Sequence, residues 1–435
     1  MSSVKIGIKN TLNNWRHSIG AILSVAVGFS ALTLFNGYIS VVEDLYEDNY
    51  ARRSMFGDVF IEQTKNGQAI DFEDSRITMK EQEFMESFFK KNPHLIDARA
   101  RFLIISGLAN NGKVSSIFWG FAYDVKDGLK LREPSWQWNS KAGKPLDQQE
   151  DDAVMLGQDI AETLGCVSLS KERILTQVGG YPPIERPLSC ERNKLQLSVT
   201  TDAGQVNATQ VRVGALGGVG LRGIDSWYLM MPLERAQKLF DTQTISHVRL
   251  RLKDPSQFDT FVDQFHREAR NQQIELRAID WRDHILARVY KRTMSLFKVF
   301  RNLVTAVILT ISGMSVLNSM VKSVNERRRE IGTLRSLGFF QRKITRIFAL
   351  EGLFIGIIGS CFGGIFSFFF SILLKKFEFV YYAGFLTDPV LFVVGLVPHL
   401  YFLSLLFLCT IASSTAYIAS YRAVKSPIPA LLTSV

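Results

Sequence analysis

The residue types most often used in catalysis are scattered along this chain without the spacing that catalysis or metal binding requires. The six histidines stand at positions 17, 94, 247, 266, 284 and 399, and none pairs with another at a metal-ligand spacing. Residues 214–223, GALGGVGLRG, are rich in glycine but lack the Lys-Ser/Thr pair of a phosphate-binding loop. We therefore expect a flexible turn there, and no catalytic, cofactor-binding or metal-binding residue in the chain.

The four cysteines follow neither a zinc-finger nor a redox-motif spacing. Cys361 and Cys409 lie inside apolar runs and are expected to be inert. Cys166 and Cys190 lie in the central region, which the charge distribution discussed below places outside the cytoplasm, and there a disulfide can form. The sequence leaves this bond as a candidate only, because spacing alone does not supply its geometry.

The strongest organising feature is a basic segment, residues 322–346, between two apolar runs, residues 303–321 and 347–374. A bilayer core requires about 20 apolar residues per helix, so both runs are long enough to span a membrane. Short loops rich in Lys and Arg remain in the cytoplasm. The basic segment is therefore predicted to be cytoplasmic, and it sets the orientation of the chain.

The same reasoning divides the whole chain and predicts a four-span α-helical membrane protein with a large α+β domain between spans one and two. The predicted order is an interfacial amphipathic helix 1–17, span one 18–42, the α+β domain 43–280 in two interleaved lobes, a stalk and span two 281–321, the basic segment 322–346, span three 347–374, an outer loop 375–390, span four 391–420 and a tail 421–435. Acidic residues follow span one and basic residues precede it, so both chain ends are predicted to be cytoplasmic.

The net charge of +10 arises largely from basic residues beside the spans, so we predict membrane lipid and not nucleic acid as a partner. Lys291, Arg292, Lys298 and Arg301 are expected to reach lipid phosphates on the exterior side. Glu351, one turn inside span three, is expected to be a packing anchor paired with Arg346 or Lys343, or else a transport carboxylate. His399 is expected to lie deeper in span four and to make a polar contact between helices.

Small residues at a spacing of four mark one face of span three. Gly352 and Gly356, and then Gly359 and Gly363, form small-xxx-small pairs that allow two helix backbones to approach closely. Gly20, Ser24 and Gly28 repeat this pattern in span one. We expect a helix–helix interface at these glycines, either within the chain or between two copies.

Within the basic segment, apolar residues recur at helical spacing: Ile331, Leu334, Leu337, Ile344 and Ile347. Gly338 is placed to end one short helix before the next begins. The segment is therefore predicted to be a helical hairpin at the membrane surface, with one apolar stripe that suits the groove of a partner.

Residues 325–338, NERRREIGTLRSLG, together with residues 350–359, LEGLFIGIIG, and 421–431, YRAVKSPIPAL, resemble the permeases of the FtsX/MacB-type ABC transporter family. Residues 224–240 are similar to the end of that family's periplasmic core domain. Length and topology look most like the lipoprotein-releasing LolC/LolE branch.

The resemblance implies a bacterial inner-membrane permease, not an enzyme, that pairs with a second copy or a paralogue and with a cytoplasmic ABC ATPase dimer. ATP and Mg²⁺ would bind only in that ATPase, which would drive the permease by mechanotransmission. The residues implied to couple to it are Glu326, Arg329, Glu330, Ile331, Gly332, Leu334, Arg335, Leu337 and Gly338.

The same branch implies extraction of lipoproteins or similar lipid-anchored molecules, and a periplasmic carrier or adaptor as a further partner. Tyr181, Pro182, Pro183 and Ile184 lie in a Pro-rich loop near the place where that branch docks its carrier; a plain surface loop is the alternative. Two other functions fit the same motifs: the permease of a MacB-like tripartite efflux system, and an FtsX-like regulator of periplasmic cell-wall hydrolases.

Overall fold

A computed structural model describes residues 15–65, 68–71, 74–170, 174–175, 178–192, 194–221, 223–382, 386–425 and 427. Their contacts define two compact units. The helical unit contains the described residues up to 43, residues 295–379 and those from 392 onward, and the α+β unit contains residues 44–294 and 380–391. Most of the predicted interfacial helix 1–17 and of the predicted tail 421–435 lies outside the described residues.

The secondary structure has the following bounds. The α-helices are α1 Trp15–Glu47, α2 Met79–Lys91, α3 Val125–Arg132, α4 Gln158–Thr163, α5 Leu233–Phe240, α6 Phe258–Asn271, α7 Arg288–Glu326, α8 Arg328–Ser336, α9 Gln341–Phe377 and α10 Pro398–Val424. The strands are β1 Val59–Lys65, β2 Gln68–Ala69, β3 Ile96–Asn110, β4 Ser115–Tyr123, β5 Ser140–Gly143, β6 Ala153–Leu156, β7 Cys166–Ser168, β8 Leu188–Cys190, β9 Lys194–Thr200, β10 Val206–Gly217, β11 Tyr228–Pro232, β12 His247–Leu252, β13 Leu276–Asp280, β14 Val380–Tyr381 and β15 Val390–Leu391.

Four helices in the described part of the chain, α1, α7, α9 and α10, are long and apolar enough to cross a membrane. The residues between the first and second of them form an α+β domain. The predicted fold class, a four-span helical membrane protein with a large α+β domain between spans one and two, is therefore confirmed.

Each of the four helices has bounds that differ by several residues from those of the predicted span, and two of these differences have a clear local cause. Span four begins at Pro398 and not at residue 391, because proline has no amide hydrogen and is suited to the first turn of a helix. The helical periodicity that starts at Trp281 does not give one unbroken helix. Residues 281–287 form two 3₁₀ turns, capped by Asp280 and His284, before α7 starts.

Eleven strands of the described α+β unit join in one sheet of the order β13-β1-β12-β3-β4-β11-β6-β10-β5, in which β2 pairs with β1 and β9 pairs with both β10 and β3. β7 with β8, and β14 with β15, form two separate two-stranded sheets. The two lobes predicted from the sequence therefore share a single sheet. β3 and β4 form the hairpin that the Asn-Asn-Gly sequence predicts, with Asn110 opposite Ser115. The side chain of Asn111 closes the turn by accepting hydrogen bonds from the amides of Lys113 and Val114.

Helices α2 and α6 cover one face of this sheet. Phe84 and Phe88 of α2 and Phe261 and Phe265 of α6 are buried in the core of the unit. Helix α2 starts at Met79, because Thr78 and Glu81 form a capping box there.

A buried arginine lies on the other face of the sheet. The guanidinium carbon of Arg249 is 3.9 to 5.0 Å from the ring centroids of Phe56, Phe60, Phe102 and Phe121. Burial lowers the pKa of Arg249 to about 9. The rings stabilise the cation by cation–π contacts in place of a carboxylate.

The small-residue positions lie where helices pack within the helical unit. A Cβ added to Gly352 would lie 2.5 Å from the carbonyl oxygen of Ala412 in α10, and one added to Gly356 would lie 2.9 Å from the Cα of Cys409. Further along α9 the neighbour is α1. A Cβ on Gly359 would lie 2.7 Å from the Cβ of Val25, and one on Gly363 would lie 2.5 Å from the carbonyl oxygen of Ala26.

Span one uses its own small residues against α7. The hydroxyl oxygens of Ser24 and Ser315 are 2.7 Å apart and share a hydrogen bond, and Gly28 lies against Ser312. In this structure the small faces of both spans therefore serve contacts within one chain.

We predict that Gly352→Ala destabilises the helical unit by about 1–3 kcal/mol, because the added methyl group would overlap a helix backbone that cannot rotate away. Thermal unfolding of the full chain in detergent measures this. Gly313→Ala is the matched control, since its Cβ would meet only Ile411 at 3.5 Å and should leave the midpoint unchanged or raise it. Equal midpoints for the two variants would contradict the packing described here.

Candidate functional site

The basic turn, residues 327–340, joins α7 to α9 and contains α8. Gly338 ends α8 with a backbone φ of +86°, a conformation that costs glycine little. The amide of Phe339 then donates to the carbonyl oxygen of Leu334 over 3.1 Å, and α9 starts two residues later. The result is the helical hairpin that the sequence predicts.

The apolar stripe predicted for a partner's groove is largely used by the chain itself. Ile331, Ile344 and Ile347 are buried, and Leu334 is half-buried against the core of the helical unit. The prediction of a free stripe is therefore wrong for these residues. Its physical reason is that α8 folds back onto α9 and α10, so the face that sequence periodicity identifies is the face that the bundle covers.

The exposed apolar surface of the basic turn is its tip. Leu337 is 70% exposed and Phe340 is 82% exposed, on either side of Gly338. Among the residues implied to couple to an ATPase, Glu326, Arg329, Glu330, Leu337 and Gly338 are exposed, Arg335 and Leu334 are half-buried, and Ile331 and Gly332 are buried. The structure thus separates a surface group from a group that packs inside the chain. Phe340 was absent from the predicted set.

One buried ion pair anchors the turn. Arg327 Nη1 donates to both carboxylate oxygens of Glu351, over 2.7 and 2.8 Å, and its Nε donates to Glu330 over 2.9 Å. Its guanidinium carbon also lies 5.0 Å from the ring centroid of Phe348. The side chains of Arg327 and Glu351 are 6% and 4% exposed.

Glu351 is thus a packing anchor in this structure, but its expected partners are wrong. Arg346 and Lys343 are exposed, whereas Arg327 lies at the junction of α7 and α8 and faces inward. A signal for this was present in the sequence. Arg327 precedes Ile331 by four residues and Leu334 by seven, so it shares their helix face.

The Pro-rich loop of the α+β unit is held by a second buried network. Tyr181 is buried, and its hydroxyl donates to Asp388 over 3.0 Å. Lys141 pairs with the other oxygen of Asp388 over 2.8 Å, and the hydroxyl of Thr387 donates to Asp225 over 2.9 Å. Tyr181 is therefore an anchor and not a surface residue.

The rest of the predicted partner loop is exposed: Pro182, Pro183 and Ile184. Cys166 and Cys190 are bonded to each other and join β7 to β8. Burial raises the pKa of Asp225, although Lys141 and Arg53 partly oppose this.

The structure also places the remaining candidate residues of the sequence analysis that lie in its described part. The glycine-rich stretch continues β10 as far as Gly217 before it turns, and Gly220, with a φ of +74°, lies against the buried side chain of Arg53. His399 is exposed on the first turn of α10, so the expected contact deep in span four is wrong. Arg301 pairs with Glu43 over 2.8 Å and Lys291 pairs with Asp283 over 2.7 Å, which gives these two basic residues carboxylate partners.

The described residues contain no group of three or more His, Cys, Asp or Glu side chains that could hold a metal ion. The site of interest is instead an anchored, basic, apolar-tipped turn between two membrane-spanning helices. Such a site is suited to binding a protein partner. The chain is in this respect a multi-span membrane protein whose second and third spans are joined by this turn.

Comparison with known families identifies this part of the chain. Residues 302–428, which run from α7 to the end of the described chain, match the FtsX-like permease C-terminal family. Within the described chain this match begins inside α7 and includes α8, α9 and α10.

Two curated relatives carry the name lipoprotein-releasing system transmembrane protein LolC. The protein from Neisseria meningitidis serogroup B is 24% identical over 48% of this chain and 46% of its own length. The protein from Xylella fastidiosa strain 9a5c is 24% identical over 73% of this chain and 65% of its own length. The chain therefore matches about half to two thirds of the length of these relatives.

A macrolide export ATP-binding/permease protein MacB, from Brucella abortus, is 30% identical over 34% of this chain and 23% of its own length. These matches confirm the resemblance to FtsX/MacB-type permeases, with similarity to LolC.

Solved structures with similarity to the chain include the periplasmic region of MacB from Actinobacillus actinomycetemcomitans, with a TM-score of 0.33, 10% identity, and coverage of 56% of this chain and 95% of that one. The extracellular domain of the ABC-type transporter YknZ from Gram-positive bacteria has a TM-score of 0.32, 11% identity, and coverage of 51% and 98%.

We predict that Arg327→Met destabilises the helical unit by about 3–5 kcal/mol, because it leaves the Glu351 carboxylate buried without a counter-charge. Adding Glu351→Met to that variant should restore most of the loss. Thermal unfolding of the full chain in detergent measures both, and Arg329→Met, at an exposed position in the same turn, is the matched control. A double variant no more stable than the single one would contradict the assignment of this pair as the anchor.

Proposed function

We propose that this chain is the permease subunit of an ABC transporter, and that a separate cytoplasmic ATPase binds the basic turn. The observation that carries the proposal is the exposed tip formed by Leu337 and Phe340, on a turn anchored to span three by Arg327 and Glu351. The similarity of residues 302–428 to FtsX-like permeases supports it.

The tip has the features of a small protein-docking site. Two large apolar side chains project from a turn whose surroundings are basic, including the exposed Arg329 and Arg342. Exposed apolar residues of this size are favourable contacts when they enter a complementary pocket. The basic neighbours suit an acidic rim around that pocket and increase the rate of encounter.

Motion of the ATPase is transmitted, in this proposal, because the turn is rigid. The ion pair joins the junction of α7 and α8 to α9, and the buried Ile331 fixes α8 against the bundle. α7 is one helix of 39 residues without a break. A displacement at the tip therefore moves the spans as solid bodies, which is the mechanotransmission that the resemblance implies.

The orientation follows from charge. The basic turn lies in the cytoplasm, and Glu43 and Asp44 near the far end of α1 lie on the opposite side. We accordingly place the α+β unit in the periplasm, both chain ends in the cytoplasm and the protein in the bacterial inner membrane. A second copy or a paralogue completes the permease pair, and ATP and Mg²⁺ bind in the ATPase.

The substrate class proposed is a lipoprotein or a similar lipid-anchored molecule, extracted from the inner membrane towards the outer membrane. The similarity to proteins named LolC over 73% of the chain supports it. The exposed Pro182, Pro183 and Ile184, held by the buried Tyr181, are then the proposed contact for a periplasmic carrier or adaptor.

The matches to proteins named MacB, at 30% identity over a third of the chain, favour a second candidate. This is the permease of a tripartite efflux system, which would use the same basic turn. An FtsX-like regulator of cell-wall hydrolases is the third candidate.

We predict that Leu337→Asp with Phe340→Asp abolishes co-purification of the ATPase, since two carboxylates would have to be buried in its pocket. Folding should be unaffected, because both positions are exposed. Thr333→Asp, exposed on α8, is the matched control and should retain the ATPase. Substitutions at Leu334 or Glu330 would not test docking alone, because Leu334 packs in the helical unit and Glu330 accepts a hydrogen bond from Arg327. An ATPase yield equal to wild type in the double variant, with an unchanged unfolding midpoint, would refute the docking site.

We expect mild crosslinking in membranes, gentle solubilisation and mass spectrometry to recover an ATPase, triacylated lipoproteins and a soluble carrier with the tagged chain. Recovery of an adaptor and an outer-membrane duct would favour the efflux candidate, and recovery of a cell-wall hydrolase the regulator. Absence of any ATPase would refute the permease proposal itself.

A further inference from the structure

A pocket of about 510 Å³ opens in the α+β unit next to the start of α7. Its lining includes Asp71, Asp283, Ile285, Arg288 and Lys291. Lys291 precedes Leu296, the first exposed apolar residue of the span's run, by five residues, or about one and a half helical turns. The pocket therefore belongs to the part of the chain that adjoins the membrane surface.

Most charges in this pocket already have partners. The carboxylate of Glu62 accepts a hydrogen bond from Arg277 Nε over 2.6 Å and lies 2.9 Å from His284 Nε2. Lys291 pairs with Asp283, and Arg282, which also lines the pocket, pairs with Glu47 over 3.2 Å. These pairs make the wall of the pocket polar and nearly neutral.

Two opposite charges of the lining remain. Within the described part of the chain, neither the guanidinium of Arg288 nor the carboxylate of Asp71 has an ion-pair partner, and the two do not pair with each other. A free cation and a free anion, separated inside one pocket, are complementary to a zwitterion that carries both charges a short distance apart.

The apolar residues beside the pocket indicate what the zwitterion is attached to. Ile285, which lines the pocket, is 44% exposed, and Val289, the residue after Arg288, is 56% exposed. A soluble zwitterion would leave these two apolar side chains exposed to water, whereas acyl chains that continue from a headgroup would cover them.

We propose that this pocket binds the headgroup of a phospholipid that carries a phosphate and an ammonium group, such as phosphoethanolamine. Arg288 binds the phosphate, and Lys291 adds a second contact through the N–H donors that its pair with Asp283 leaves. Asp71 binds the ammonium group, and the acyl chains extend along the exposed apolar side of α7. This site requires neither the ATPase nor the transport substrate, so it stands or falls separately from the proposed function.

The test titrates short-chain lipids into the full chain in detergent and counts bound molecules by native mass spectrometry. Dioctanoyl-phosphatidylethanolamine is expected to bind at one site. Dioctanoylglycerol has the same chains without the headgroup and should not occupy it, and phosphoethanolamine alone should compete only weakly. Stronger binding of free phosphoethanolamine than of the lipid would overturn the lipid assignment.

Two variants test the phosphate contacts and the ammonium contact separately. Arg288→Gln with Lys291→Gln should weaken the binding of dioctanoyl-phosphatidylethanolamine roughly ten-fold or more, since it removes two charge-assisted contacts to the phosphate. Asp71→Asn should weaken the binding of that lipid. It should leave the binding of dioctanoyl-phosphatidylglycerol unchanged, because that lipid has no ammonium group.

Lys298→Gln is the matched control, because Lys298 is an exposed lysine of α7 that does not line the pocket, and it should bind like wild type. All variants change exposed side chains and should unfold at the wild-type midpoint. Equal affinity in the double variant and the control, or occupancy by dioctanoylglycerol at the same concentration, would overturn the proposal.

Discussion

The ion pair between Arg327 and Glu351 is the interaction on which the basic turn depends. Removing two charges from water is costly, and a buried pair offsets that cost only when its hydrogen bonds are complete. Arg327 meets this condition with two bonds to Glu351, one to Glu330 and a contact with the ring of Phe348. The geometry that satisfies the charges also determines where α8 leaves α7, and so where the tip with Leu337 and Phe340 is presented.

Much of this architecture could be predicted from the sequence because it rests on local physics. Runs of apolar residues indicate the span helices, and a capping box indicates the start of α2. The Asn-Asn-Gly sequence indicates the β3–β4 hairpin, and Gly338 indicates the end of α8. Each signal lies within a few residues of the feature it predicts. Glycine spacing likewise predicted that α9 has a close-packing face, although spacing could not say which helix packs there.

What could not be predicted is the choice of partner across the fold. The apolar stripe of the basic segment was correctly identified as a face to be buried, but its periodicity is the same whether the covering surface is another protein or the chain's own helices. Arg346 and Lys343 lie nearer to Glu351 in the sequence. The helix face that Arg327 shares with Ile331 and Leu334 shows that it is buried, but only the path of α8 brings it to Glu351. In the same way, nothing near Tyr181 in the sequence indicates that its hydroxyl meets Asp388, more than 200 residues later.

In the proposed function, the contacts of α9 make the basic turn a mechanical input as well as a binding surface. Gly352, Gly356, Gly359 and Gly363 lie on one stripe of the helix, since a step of seven residues nearly completes two turns. The first two face α10 and the last two face α1, so one stripe is fixed by two different helices along about three turns. Glu351 is next to the start of this stripe and is itself tied to Arg327. In this proposal a force applied at the tip enters α9 through the ion pair and is carried along this close-packed stripe as far as Gly363. Because close-packed helices move as units and do not deform continuously, the proposed function requires that the displacement move α1, α9 and α10 together.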